Sequence, residues 1–107
     1  SNITGVHRDK IYEALVAEGL SAGKSYANLH LLPMFQNKIA YGSNGFPWTS
    51  DICKRDIDYS KGICPVSEDL NDNRYIGIDF CQFDYDESDI DLIIKVFHKV
   101  WHNLENL

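Results

Sequence analysis

The feature that most constrains the fold is residues 75–103, where an alternating segment leads into a long amphipathic one. Over residues 75–83, Ile76, Ile78 and Phe80 alternate with smaller or polar side chains, which predicts a β-strand. Over residues 86–103, apolar side chains recur at helical spacing, which predicts a helix with one buried face. That stripe consists of Ile90, Ile93, Ile94, Phe97, Val100, Trp101 and Leu104. A helix after a strand in this way favours a sheet covered by helices.

The remaining elements are predicted from turn and capping residues. Residues 8–18 form an amphipathic helix that Gly19 ends, because glycine accepts the left-handed conformation at a helix terminus. Residues 25–32 are predicted to form a strand that Pro33 ends. A short helical turn within residues 34–40, a loop over residues 42–48 and a short helix at Pro65 follow. We therefore expect an α+β fold with a small, mostly antiparallel sheet covered by helices.

Composition limits the possible functions. A chain of 107 residues with 44% hydrophobic residues suits one globular domain spanning residues 1–107. Its net charge of −6 is concentrated in residues 51–107, and it argues against nucleic-acid binding. No apolar run is long enough for a bilayer, so we expect no membrane association. Three irregularly spaced cysteines favour reduced thiols and a cytoplasmic location.

Motifs for phosphate and calcium are incomplete. Gly23, Lys24 and Ser25 resemble the end of a phosphate loop, but the first glycine of that motif would have to stand at Glu18. Acidic residues from Asp84 onward resemble the start of a calcium loop that lacks its glycine and its final glutamate. Helix capping explains those acids better.

Candidate metal ligands and nucleophiles are equally weak. His98 and His102 have the i, i+4 spacing of a metal-binding pair, but no third ligand is evident, and we expect two surface histidines instead. Ser43 lies outside any G-x-S-x-G motif. Cys64 precedes a helix, where a thiol more often packs than reacts. We assign no catalytic residue and no metal ligand to this chain.

Tyr26 and His30 are the candidate substrate-binding residues. In a strand, their even spacing places both side chains on one face, with Asn28 between them. A face carrying a phenol, an amide and an imidazole suits a binding surface better than a core. A boundary histidine with satisfied hydrogen bonds is an equally good interpretation of His30.

Several segments together resemble the DegT/DnrJ/StrS family of sugar aminotransferases. The segment CPVSEDL at residues 64–70, the apolar strand after it and the KVW of the last helix resemble the end of that family's small domain. Residues 8–19 resemble the helix before its sheet, and YANLHLLP at residues 26–33 resembles its Leu-His-proline segment. Asn28 stands where the family often has proline. The resemblance covers nearly the whole chain.

The resemblance implies a fold, a cofactor and partners. The chain would be the C-terminal small domain of a fold-type I aminotransferase that uses pyridoxal phosphate. The cofactor would bind a large domain of the parent chain, which is usually a homodimer, so this chain would be inactive alone. The substrate would be a nucleotide-linked keto sugar for polysaccharide or lipopolysaccharide synthesis, and Tyr26 and His30 would help shape its cleft. Related dehydratases use the same cofactor, so dehydration is an alternative to transamination within the family.

A second function class stays open beside the first. The chain could be a free-standing acidic module that binds other proteins and has no catalytic activity. The length of the native gene product distinguishes the two, because the enzyme needs a preceding domain of several hundred residues.

Overall fold

A computed structural model describes residues 4–24, 26–42 and 44–107, which form two compact units. The first unit combines the N-terminal segment up to Tyr26 with Leu70–Leu107, and the second comprises Ala27–Asp69. Helix α1 (Arg8–Ala17), strand β1 (Ala22–Gly23), strand β2 (Gly77–Ile78) and helix α4 (Glu87–His102) belong to the first unit. Helices α2 (Pro33–Gln36) and α3 (Pro65–Asp69) belong to the second. The prediction of a single domain stays a prediction.

The first unit is a mixed helix and strand structure. Strands β1 and β2 pair antiparallel, with Ala22 opposite Ile78 and Gly23 opposite Gly77. Its buried core consists of Ile11, Leu15, Leu20 and Val100. Side chains from β1, β2 and α4 pack around these four residues, so the sheet and the two long helices share one core. The predicted α+β class with a small antiparallel sheet is therefore compatible with the structure.

Helix α1 ends as the sequence predicts. Gly19 has a φ of +93° and donates its N–H to the carbonyl of Val16, while Leu20 donates to the carbonyl of Leu15. These two bonds form a Schellman motif, in which the chain reverses direction at the end of the helix. The turn places Leu20 against Leu15 in the core.

Helix α4 confirms the prediction for residues 86–103. Asp86 is its N-cap and Asn103 its C-cap. The Asp86 carboxylate accepts the N–H groups of Ser88 and Asp89 at 2.8 and 3.0 Å, and Asp89 returns a bond to the Asp86 N–H at 3.1 Å. This capping box satisfies backbone donors that the first turn otherwise leaves free.

The buried face of α4 differs from the predicted stripe. Trp101 is 50% exposed and Ile94 is 47% exposed, so the prediction that Trp101 is buried was wrong. Ile93, Phe97 and Val100 of the stripe do pack in the core, and Val96, which was not predicted to be buried, joins them. The contact face of α4 therefore extends further towards Val96 than the sequence predicted. Ile94 and Trp101 are left at the opposite edge of the stripe.

The strand predicted over residues 75–83 was too long, and the strand predicted over residues 25–32 was wrong for the residues that the structure describes. Within residues 75–83, the ladder contains Gly77–Ile78 alone, and Phe80–Gln82 forms a 3₁₀ turn. The described part of residues 25–32 holds no strand; Leu29–Leu31 is a 3₁₀ turn in which Leu31 donates to the carbonyl of Asn28 at 2.8 Å. A strand needs a neighbour for its backbone groups, and these segments satisfy theirs locally. Ser25 lies outside the described residues.

Arg8 links three segments of the first unit. Its guanidinium donates to the carbonyls of Asn71 at 3.1 Å, Tyr75 at 3.0 Å and Asp72 at 2.8 Å, and also to that of Lys24. Leu70–Arg74 is a π-helical turn whose final carbonyls need such donors. One buried side chain therefore joins α1 to the end of β1 and to this turn.

Candidate functional site

The second unit contains a histidine–carboxylate pair formed by His30 and Glu68. Nε2 of His30 lies 2.8 Å from Oε1 of Glu68, and the two side chains are 9% and 8% exposed. His30 belongs to the 3₁₀ turn before α2, and Glu68 belongs to α3. An ionised carboxylate only accepts hydrogen bonds, so Nε2 carries the proton and donates it to Glu68.

The Glu68 carboxylate is also bound by the backbone before α3. The Gly62 N–H lies 2.8 Å from Oε1 and 3.0 Å from Oε2, and the Cys64 N–H lies 3.3 Å from Oε1. The bond from Gly62 has the largest effect and lowers the pKa of Glu68. Burial opposes that shift, while the bonds from His30 and Cys64 reinforce it. The carboxylate is therefore held as an anion in one orientation.

Gly62 can direct its N–H at Glu68 because of its backbone conformation. Its φ of +102° lies in the region that residues with a Cβ rarely adopt. Pro65 occupies the first turn of α3, as predicted, where it lacks an N–H that would need a partner. Glycine and proline together set the short loop that closes on the Glu68 side chain.

The backbone of His30 is held from the opposite direction. Nε2 of Gln36 donates to the His30 carbonyl at 2.7 Å and to the Tyr59 carbonyl at 2.6 Å. The Tyr59 ring packs against Phe35, with ring centroids 5.2 Å apart, and its hydroxyl accepts from the Trp48 indole at 3.0 Å. Both the ring and the backbone of His30 are thus fixed by neighbours in this unit.

A shallow cavity lies beside this framework in the second unit. It measures about 420 Å³ and is lined by Gln36, Tyr59 and the segment 56–60. Lys38 and Asp56 form an ion pair of 3.0 Å at its wall. Gln36 therefore contacts both the cavity and the backbone of His30, and the lining offers both charge signs and hydroxyl groups to a polar ligand.

Tyr26 and His30 do not share a strand face. Tyr26 is 82% exposed and belongs to the first unit, whereas His30 belongs to the second. The Tyr26 N–H donates to the Asn71 side chain at 3.3 Å, which anchors its backbone and leaves the phenol in solvent. The prediction that both side chains lie on one face of a strand was therefore wrong, because the described residues of this segment form no strand. Substrate binding by either residue stays a prediction.

Glu68 is the residue that sequence reasoning missed. The signal available was an acidic residue one turn after Pro65, close to a glycine that could adopt positive φ. Its partner His30 lies 38 positions away. Nothing in the spacing of the sequence indicates that the two side chains meet.

His98 and His102 lie on the exposed surface of α4. Their ring centroids are 6.0 Å apart, and Nδ1 of His102 lies 2.6 Å from the His98 carbonyl. They line a groove with Phe97 and Trp101. Within the described ranges, no group of three or more histidine, cysteine or acidic side chains is placed to hold a metal.

The contacts of the remaining candidate residues give no sign of a catalytic site. Cys53, Cys64 and Cys81 are not joined by disulfides. Lys24 lies 3.5 Å from the Asp9 carboxylate and 5.3 Å from the centre of the Tyr12 ring. Ser43 lies outside the described residues. Among the residues that the structure describes, no helix is long and apolar enough to cross a bilayer.

Three lysines of this chain do not fit a pyridoxal phosphate site. The cofactor requires an enclosed lysine amine that can become neutral. Lys24, Lys38 and Lys99 instead form ion pairs with carboxylates at the surface, at 3.5, 3.0 and 2.6 Å. These three side chains are at least 40% exposed and are held by carboxylates, so they are poor candidates for an imine.

Comparison with known proteins identifies no relative: no family model, curated protein or solved structure matches this chain.

Proposed function

We propose that this chain is the C-terminal domain of a pyridoxal-phosphate-dependent aminotransferase that acts on a nucleotide-linked keto sugar. In this proposal the chain shapes the substrate cleft and has no activity alone. The cofactor binds a large domain of the parent protein, which is a cytoplasmic homodimer supplying polysaccharide or lipopolysaccharide precursors. The resemblance of residues 8–33 and 64–101 to the DegT/DnrJ/StrS family supports the identity of the parent.

The observation that carries the proposal is the number of large apolar side chains that stay exposed while the core is small. In the described residues, four hydrophobic side chains are buried in the core, while large ones such as Tyr26, Tyr41, Phe83 and Trp101 are between 50% and 82% exposed. Apolar side chains that cluster on an exposed surface are typical of a face that another protein surface covers. This supports a domain that lies against a larger body.

The His30–Glu68 pair supports a role in the cleft. An imidazole held by a carboxylate and a fixed backbone is already oriented before a ligand binds, which reduces the entropy lost on binding. A sugar presents hydroxyl groups, and imidazole nitrogens bind hydroxyl groups well. The nearby cavity in the second unit has the polar lining that such a ligand requires.

The test is amino transfer by the full-length protein that carries this chain. The protein is incubated with pyridoxal phosphate, glutamate and either a UDP-linked or a dTDP-linked 4-keto-6-deoxy sugar. We expect an aldimine absorbance band that survives gel filtration and a product whose mass corresponds to an amino sugar. A deoxygenated product instead indicates the dehydratase branch. A full-length protein that binds no cofactor contradicts the proposal and favours the interaction module.

The chain of 107 residues serves as the control in the same assay. Added pyridoxal phosphate should react only slowly and without saturation on surface lysines, because none of them lies in an enclosed site. A stoichiometric aldimine on this chain, together with amino transfer from glutamate, would contradict the assignment of the cofactor to another domain.

A further inference from the structure

We propose that the outer face of helix α4 is a self-complementary docking surface, on which a second copy of this chain packs with its own α4 antiparallel. The outer face consists of the exposed side chains of Glu87, Asp91, Ile94, Lys95, His98 and Trp101. The inference goes beyond the proposed function and does not depend on it, because it uses the exposure and the charges of a single helix.

The apolar part of the outer face is regular. Ile94 and Trp101 are seven residues apart, which is about two turns of a helix, so both lie on one line along α4. Each side chain is about half exposed. At the end of this line, Phe97 and Trp101 line a groove of about 370 Å³ together with His98 and His102. Apolar side chains with a seven-residue spacing are typical of helices that pack side by side, so the line suits a second helix.

The charged residues of α4 are divided between its two halves. The acidic ones all lie in the first half, at Glu87, Asp89 and Asp91. The basic ones all lie in the second half, at Lys95, His98, Lys99 and His102. The helix dipole favours acids in the first turn and bases in the last turn, but Asp91 and Lys95 lie beyond those turns. The dipole therefore does not account for the whole division.

The charges of the outer face are not used within the chain. In the described ranges, no ion pair involves Glu87, Asp91 or Lys95. Lys99 differs, because its ammonium group lies 2.6 Å from the Glu18 carboxylate. The two carboxylates and the Lys95 ammonium group are therefore accessible to a partner with the opposite charges.

The charge pattern selects both the partner and its orientation. Two parallel α4 helices would place acids against acids and bases against bases, which is unfavourable. An antiparallel pair centred near Ile94 brings the first half of each helix to the second half of the other. Glu87 and Trp101 are each seven residues from Ile94, so Glu87 of one copy lies beside the groove of the other. Two-fold symmetry then forms every contact twice.

A polyanion fits the outer face less well than a second copy does. Nucleic acid or an anionic membrane would be attracted to Lys95 and the histidines, but the acids of the first half would repel it. The net charge of −6 adds to that repulsion over a longer range. A second copy matches both halves of the helix at once.

Sedimentation equilibrium of the 107-residue chain, in low and high salt, measures the association. We expect a weak equilibrium between monomer and dimer, because one helix pair makes a small interface. High salt should weaken the dimer further, because it screens exposed charges. A chain that stays monomeric in low salt at about 1 mM overturns the inference and leaves the outer face to a different protein surface.

Charge reversal tests whether the outer face forms the interface. Asp91→Lys places like charges against the second half of the other helix, and we expect a dissociation constant raised by about tenfold or more. The double variant Asp91→Lys, Lys95→Glu exchanges the two charges and should recover much of the affinity. Glu13→Lys, on the exposed face of α1, has the same change in net charge and is the control. Equal dissociation constants for Asp91→Lys and Glu13→Lys overturn the assignment.

Cross-linking of the wild-type chain tests the orientation without any substitution. Chains labelled with nitrogen-14 and nitrogen-15 are mixed in equal amounts and treated with a carbodiimide, which joins a carboxylate to an adjacent amine with loss of water. Mass spectrometry should find Asp91 of one label joined to Lys95 of the other, whereas a link within one helix carries a single label. Mixed-label links that join other surfaces, with none on α4, overturn the antiparallel pair.

Discussion

Arg8 and Tyr75 are joined across 67 positions of the sequence by a 3.0 Å hydrogen bond from the guanidinium to the carbonyl oxygen. The same nitrogen and its neighbour bind three further carbonyls, so a single cation satisfies the end of a π-helical turn and the end of β1. The planar guanidinium can do this because its donors point in fixed, separate directions. The side chain is 8% exposed, which keeps water from replacing it.

Replacement of Arg8 should therefore be costly. Arg8→Met removes the buried donors that bind these four carbonyls, and we expect a loss of about 2–4 kcal/mol in the free energy of unfolding. Arg8→Lys should recover only part of this lost stability, because a single ammonium group cannot reach all four carbonyls. Denaturant unfolding measures the free energy of unfolding of both variants. Lys10→Met, on the exposed side of the same helix, is the control and should change stability little. Equal losses in the two methionine variants would contradict the role of Arg8.

The stability of the chain should depend on pH through Glu68. The backbone N–H of Gly62 lowers the pKa of Glu68 below its ordinary value of 4.5. The folded state then binds the proton more weakly than the unfolded state, so the stabilisation is present above the ordinary pKa and is lost as the pH falls through the lowered one. Glu68→Gln should be less stable than the wild type near neutral pH and should approach it in acid.

Chemical denaturation at several pH values below neutrality measures this dependence. Glu105→Gln removes an exposed carboxylate and controls for the change in net charge. A constant difference between wild type and Glu68→Gln across the acidic range would show that the charge of Glu68 contributes nothing to folding.

The core and the exposed edge of the last helix should respond differently to truncation. Leu15 is fully buried, and Leu15→Ala should cost about 3–5 kcal/mol through lost burial and the cavity left behind. Trp101 is half exposed, so Trp101→Ala should cost much less in this chain. Thermal or denaturant unfolding of both variants tests the placement of α4. A larger loss for Trp101→Ala would mean that the helix packs through the other edge of its stripe.

The turn after α1 should require glycine. Gly19→Ala forces a Cβ into a backbone with φ of +93°, and we expect a loss of about 1–2 kcal/mol. Gly23→Ala is the matched control, because Gly23 does not have a positive φ and an added Cβ meets nothing within 4 Å. Differential scanning calorimetry of the two variants should show a lower melting temperature for Gly19→Ala alone. Equal melting temperatures would exclude the Schellman turn as a contributor to stability.

The elements that sequence reasoning predicted well are those with local causes. The helix over residues 8–18, its stop at Gly19, the acidic cap of the last helix and the short helix at Pro65 all depend on interactions within a few residues of one another. Those interactions are present whatever the rest of the chain does. The strands were predicted poorly, because alternation in residues 75–83 indicates a suitable surface but does not supply a partner.

Sequence by itself determined the helices, their ends and the acidic surface, since propensity and capping act over one or two turns. Tertiary structure alone decided which edge of the α4 stripe is buried, how short the sheet is, and that His30 meets Glu68. Each of these depends on contacts between residues far apart in the chain. His30 pairs with Glu68 across 38 positions, and the Gly62 N–H holds the Glu68 carboxylate in place for that contact. No spacing pattern in the sequence indicates that these two side chains meet.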